Sequence, residues 1–250
     1  MSLFFFYLVW QSILGSKIAT KNLKGLPEIL FATHIGKYIP GSIWNFSAQT
    51  ILLRPLGISL AQTVSVSAIF LYILLASAAA TGYMFSYGLL PAPLNLIIPA
   101  MGAIAIFAMH PLLVIVEKLR HWRVKLATPK PFKSPNFLCV IPFTFAMWFL
   151  QAASIYVLVP GVSLDRFDID LFANLTSAIC LSFAAGLLVP IAPAGLGVRE
   201  AVLIAMLAPS LGIAPAGAIA ILLRLVQVGG DLAFGSISWV AIATRRTTKS

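Results

Sequence analysis

Apolar residues run along this chain in long blocks, and polar residues are confined to short stretches between them. Several blocks approach the about 20 residues that a helix needs to cross a bilayer. Spans are predicted over 60–83, 94–116, 137–159 and 171–189, and one long apolar run covers 214–244. Residues 1–15 are apolar and aromatic but short for a span. No basic stretch stands before this apolar run, as one does in a cleaved signal peptide, so a cleaved signal peptide is not expected. The pattern predicts an all-α, polytopic transmembrane bundle forming a single domain over 1–250.

Two segments interrupt this pattern. The first is 27–53, broken midway by Lys37-Tyr38-Ile39-Pro40-Gly41-Ser42. Each flank is about a dozen residues, too short to span at about 1.5 Å per residue. Ser42 is a natural N-cap for a second short helix. Ser42, Asn45 and Gln49 then share one helix face. The segment reads as a re-entrant hairpin entering from the inside, with an amphipathic pair lying in the interface as the alternative.

The second interruption is 190–200, PIAPAGLGVRE. Proline lacks the backbone donor and glycine gains little from helicity, so a helix should break here and restart near Val198. The restarted helix is expected to run to Ala208, before Pro209, again too short to cross. A broken backbone within lipid survives only where protein buries it or water reaches it. With the orientations set by charge, the chain reads as two oppositely directed halves. Each half is a span, a Pro/Gly break and a span, the arrangement of an inverted repeat around a site near the midplane.

Charge supports this topology. Of 250 residues 60% are hydrophobic and only 10% charged, against roughly 25% charged in a soluble domain. The net charge of +10 does not point to nucleic acid, because of where the cations lie. Lys17, Lys21 and Lys24 form one cluster, Lys118, Arg120, Arg123, Lys125, Lys130 and Lys133 a second, and Arg245, Arg246 and Lys249 a third. All three flank apolar runs, as inside-facing loops do, which leaves the C-terminus cytoplasmic. Cys139 and Cys180 lie within apolar runs and read as small buried hydrophobes. His34, His110 and His121 have no ligand-like spacing, and no metal or other cofactor is expected. The loop 160–170 carries Asp165 and Asp168, a spacing able to hold magnesium, or simply a solvated loop.

The chemistry concentrates at the two breaks. Gly195 and Gly197 permit the turn, and the restarting helix aims free N–H groups and a positive dipole end at any cavity there. Glu200 sits near the third helical position, where it satisfies part of that terminus. Arg199 adds a forked donor suited to phosphate, Lys37 a point charge, and Arg224 a second fork. Arg224, Gln227 and Asp231 share one face of the last run. With Lys37, Ser42, Asn45, Gly195, Gly197, Arg199, Glu200, Arg224 and Asp231 at the site, the constellation suits a phosphate-bearing headgroup whose tail stays in lipid. The bland alternative is that Arg199, Glu200, Arg224 and Asp231, whose charges cancel, pair with one another to tie broken helices together. No residue set reads as catalytic.

GKYIPGSIW at 36–44, PLGIS at 55–59 and PIAPAGLGVREAVL at 190–203 resemble the membrane region of the lysylphosphatidylglycerol synthase/flippase family. The resemblance covers nearly the whole chain. Where that family commonly has two glycines after the proline, this chain has Pro193-Ala194-Gly195, and Gln49 stands where an arginine often follows the first motif. The resemblance implies a plasma-membrane protein that moves an anionic phospholipid or a polyprenyl-phosphate-linked lipid between leaflets, with a glycosyltransferase or lipid synthase as its partner. The aminoacyl-transferring domain of bifunctional members has no counterpart in these residues, so lysyl transfer is not implied. Two other readings stand beside it: a membrane-embedded enzyme acting on lipid headgroups, and a membrane scaffold for a partner enzyme. No Walker-type loop is present, so direct ATP use is not expected.

Overall fold

The computed structural model describes residues 2–15, 25–39, 44–86, 137–159, 167–189 and 192–247. Among these, every regular element is helical. The chain forms α1 (Ser2–Gly15), α2 (Leu26–His34), α3 (Trp44–Leu53), α4 (Leu60–Met84), α5 (Phe137–Tyr156), α6 (Ile169–Leu188), α7 (Val198–Leu211) and α8 (Ile213–Thr247). Short 3-10 turns lie at Ile35–Tyr38, Arg54–Leu56 and Pro193–Gly195. The expected span 94–116, the basic loop 118–133, His110, His121, Asp165, Pro40, Gly41 and Ser42 lie outside the described residues.

Among the described residues four stretches are long and apolar enough to cross a membrane: Gln62–Met84, Ile169–Leu188, Pro193–Leu211 and Ile213–Arg245. The third, with its leading 3-10 turn, corrects the expectation that the restarted segment is too short to cross. The helix ends follow local chemistry. Ser59 caps α4, its Oγ accepting from Gln62 N at 3.3 Å while Gln62 Oε1 accepts from Ser59 N at 2.9 Å. Asp168 caps α6, its Oδ1 accepting from the backbone N–H groups of Asp170 and Leu171, both at 3.0 Å. That geometry gives Asp168 a capping role in the 160–170 loop. Helix α7 passes the expected stop at Ala208 and ends at Leu211, with Pro209 inside it. Pro209 removes the backbone bond to the Ala205 carbonyl, and the helix continues only two residues beyond it. Gly212, at φ +87°, then turns the chain into α8.

Two apolar clusters hold the helices together. The first gathers Trp10, Ile13, Leu30, Phe70, Met147 and Trp148 from α1, α2, α4 and α5. The second gathers Ile155, Leu175, Ile179, Leu203, Leu207 and Ile219 from α5, α6, α7 and α8. Small residues set the close crossings, as packing within lipid favours. At the α4–α6 contact a Cβ on Gly82 would lie 2.7 Å from Leu181 Cγ. Ser177 Oγ, free to approach there, donates to Gly82 O at 2.7 Å. Helix α2 lies along α8, where Gly235 faces Ile35 and the Phe31 carbonyl. Trp239 Nε1 donates to Ala32 O at 3.0 Å, and Arg245 meets Glu28 at 2.6 Å near the helix ends. The other face of α8 exposes Ile221, Leu225, Ile237 and Val240, an outward apolar face suited to lipid contact.

Candidate functional site

The two interrupted segments meet. The turn Ile35–Tyr38 touches the turn Pro193–Gly195, although more than half the chain separates them in sequence. Each turn delivers charge to the same region, and α8 supplies the opposite charges from its middle.

The second break is built as the residue types demand. Helix α6 ends at Leu188 and α7 restarts at Val198. Gly195 and Gly197 adopt φ of +72° and +82°, which glycine alone reaches without strain. Ala194 adopts a left-handed conformation at φ 51°, ψ 19°. A non-glycine residue there costs about 1–2 kcal/mol. Arg224 offsets that cost, donating to the Ala194 carbonyl from Nη1 at 3.2 Å and Nη2 at 3.3 Å. Glu200 reaches back over the start of α7, its Oε2 accepting from Gly197 N at 2.7 Å. Its other oxygen pairs with Arg224 Nε. Arg224 and Glu200 thus lock the turn to α8.

The first break carries a second charge cluster. Lys37 Nζ lies 2.7 Å from Asp231 Oδ2. Tyr38 donates its hydroxyl to the same oxygen at 2.6 Å. Lys37 Nζ also lies 2.7 Å from His34 Nε2, and that nitrogen is 3.7 Å from Asp231 Oδ1. Asp231 is almost fully buried, its side chain only 5% exposed. A carboxylate so placed needs this many partners to remain charged.

Arg199 differs from the other cations. It projects from the first turn of α7 across the face of Phe183, with the guanidinium carbon 4.3 Å from the ring centroid. Two glycines form the slot that holds it. A Cβ on Gly186 would lie 2.6 Å from Arg199 Nε, and one on Gly195 2.8 Å from the same atom. That Nε is buried without a hydrogen-bond partner among the described residues. The carboxylates of Glu200 and Asp231 pair instead with Arg224 and Lys37.

A cavity of about 300 Å³ opens between these groups. His34, Lys37, Arg199 and Asp231 line its polar side, with Gln151 and Gln227 beside them. Phe6, Leu74, Met147, Trp148, Phe183 and Leu223 form its apolar walls. Its lining thus combines charge that can hold a headgroup with walls that can meet a hydrocarbon chain. Among the described residues no three His, Cys, Asp or Glu side chains converge as metal ligands would.

Of the residues singled out in the sequence, Lys37, Arg199 and Asp231 line this cavity, and Glu200 and Arg224 stand beside it. Gly195 shapes the Arg199 slot, and Gly197 donates to Glu200. Asn45 and Gln49 are not in its lining. Gln49 is buried and accepts from Ser67 at 3.2 Å, tying α3 to α4. The backbone of Asn45 packs under Gly36, where a Cβ would lie 2.9 Å from Asn45 N. Ser42 lies outside the described residues. The expectation that Arg199, Glu200, Arg224 and Asp231 pair with one another holds for Glu200 and Arg224 and is corrected for Arg199 and Asp231. Lys37 takes Asp231, Arg224 takes Glu200, and Arg199 is left over. His34, Tyr38, Phe183 and Gly186 are site residues that the sequence did not single out. No family model, curated protein or solved structure matches this chain.

Proposed function

We propose that this protein moves a phosphate-bearing lipid, an anionic phospholipid or a polyprenyl-phosphate-linked lipid, between the two leaflets of the cell membrane. The single observation that carries this reading is the cavity shared by both broken segments, charged on one side and apolar on the other. An ionisable group inside a membrane bundle marks a pathway by default, because burying it is otherwise costly. Here several such groups come from two breaks and meet around one open space. In this reading the two breaks are re-entrant elements of oppositely directed halves, and the touching turns form the gate between them. The helices α2 and α3, of 9 and 10 residues, have the length of half-spans rather than spans.

The scaffold alternative has less support, since a pure anchor needs no charged cavity. A headgroup-modifying enzyme needs a nucleophile or base in reach of a bound substrate. The candidate carboxylates Glu200 and Asp231 are each already held by a cation. Purified protein in liposomes containing a lipid labelled on its headgroup tests the proposal. Labelled headgroups should become accessible to a membrane-impermeant quencher faster than in empty liposomes. Equal rates with and without protein, for both lipid classes, contradict it.

A further inference from the structure

We infer that the cavity selects a phosphodiester monoanion, held by Arg199, over zwitterionic, cationic and dianionic headgroups. This rests on reading the cavity as a lipid-headgroup site, and it adds which headgroup.

The inference follows from how the charges are paired. Lys37 is matched by Asp231 at 2.7 Å. Arg224 is matched by Glu200. Lys37 Nζ donates to His34 Nε2 at 2.7 Å, so that ring nitrogen offers its lone pair and the imidazole is neutral. Gln151 and Gln227 carry no charge. Among the described residues at the site, one cation is therefore left without a carboxylate, and it is Arg199.

Arg199 is also held in place. Gly186 and Gly195 admit its side chain where any Cβ would collide, and Phe183 lies against the guanidinium face. With its Nε sealed in the glycine slot, the Arg199 guanidinium borders the open cavity without a counter-anion among the described residues. A phosphodiester provides it: two non-bridging oxygens match the guanidinium fork, and one negative charge neutralises the site. A dianion would leave an extra negative charge between apolar walls. An aminoacylated lipid would add cations to a site already one positive. A zwitterion would place its own cation against Lys37 and Arg199. Each mismatch buries uncompensated charge in a low-dielectric setting. Phosphatidylglycerol and a polyprenyl phosphoryl sugar are both phosphodiester monoanions, so the headgroup chemistry is shared and the tail distinguishes them.

The test is competition binding in detergent with headgroup-labelled dihexanoyl phosphatidylglycerol as probe. Unlabelled competitors are dihexanoyl phosphatidylglycerol, phosphatidylcholine, lysyl-phosphatidylglycerol, and phosphatidic acid at a pH where it is a dianion. Farnesyl phosphoryl glucose is added as the second monoanion. Phosphatidylglycerol should compete about tenfold or more tightly than the three mismatched lipids, a difference of about 1.4 kcal/mol. Farnesyl phosphoryl glucose competing equally shows that the phosphodiester is read. If only one of the two monoanions competes, the tail sets the source while the charge rule stands. Arg199→Gln should flatten the series, and Arg199→Lys should keep its order with weaker binding, both with unfolding temperatures near wild type. A series headed by a zwitterion, cation or dianion overturns the inference. So does a series unchanged in Arg199→Gln, or no binding of any lipid. Selective binding without lipid movement in liposomes would remove the transport reading and leave this one intact.

Discussion

Lys37 Nζ sits 2.7 Å from Asp231 Oδ2, joining the turn after α2 to the middle of α8. Tyr38 adds a hydrogen bond to the same oxygen, so one buried carboxylate holds two successive residues at the C-terminal end of the turn. The turn also packs on α2, α3, α8 and the second break, which carries Lys37 to the cavity where Asp231 meets it.

Breaking that pair should therefore cost more than removing it. Lys37→Ala or Asp231→Ala leaves a buried charge without its partner and should destabilise the protein by about 3–5 kcal/mol. The double replacement Lys37→Met with Asp231→Leu should cost clearly less than the sum. Denaturant unfolding of the three variants in mixed micelles checks this. Additive effects would mean that the two charges do not depend on one another.

The glycines of the second break should separate strain from collision. Gly197 has open space around its missing Cβ, and its φ of +82° is the sole penalty. Gly197→Ala should cost about 1–2 kcal/mol and leave Arg199 in place. Gly195→Ala adds a collision with Arg199 Nε to the same kind of strain. It should cost more and also weaken anion binding. Unfolding temperature and lipid binding, measured on both variants, distinguish the two penalties.

Glu200 serves two partners at once, Gly197 N and Arg224. Glu200→Ala should cost about 1.5–3 kcal/mol, the range for hydrogen bonds to charged groups. Glu200→Gln keeps an oxygen for the Gly197 N–H but loses the charge, and should fall between alanine and wild type. Hydrogen exchange of the backbone at 195–201 should quicken in the same order.

The Glu28–Arg245 pair provides a contrast. It is as short as the buried pair, at 2.6 Å, but Arg245 is 55% exposed. Arg245→Ala or Glu28→Ala should shift stability by about 0–1 kcal/mol, and less at high salt. A loss comparable to that of Asp231→Ala would mean that the α2–α8 ends are held far more rigidly than their exposure implies.

Much of this was legible in the sequence, for definable reasons. Proline and glycine act locally, so the break at 190–197, the restart at Val198 and the position of Glu200 could all be read from residue type. Arg224, Gln227 and Asp231 share a face because helix periodicity is local too, and all three approach the cavity region. The pairing was not legible. Tyr38 and Asp231 lie 193 positions apart, and no periodicity links them. His34 gave no signal as a metal ligand; its contact with Lys37 is local, three residues apart, but its approach to Asp231 exists only once α2 lies on α8. Gly186 looked like any small residue within an apolar run. Its significance is the Arg199 side chain that crosses it from another helix. Asn45 and Gln49 were correctly placed on one helical segment but serve packing around α3 rather than the cavity.

The most direct measurement is lipid translocation in proteoliposomes, with headgroup-labelled phosphatidylglycerol and a polyprenyl phosphoryl sugar as parallel substrates. Wild type is compared with Arg199→Ala and Lys37→Ala, each first shown to be folded. Movement of at least one lipid by wild type, lost in both variants, is the expected result and places the phosphate path through the cavity. Movement of neither lipid by wild type, or movement undiminished in both variants, contradicts it.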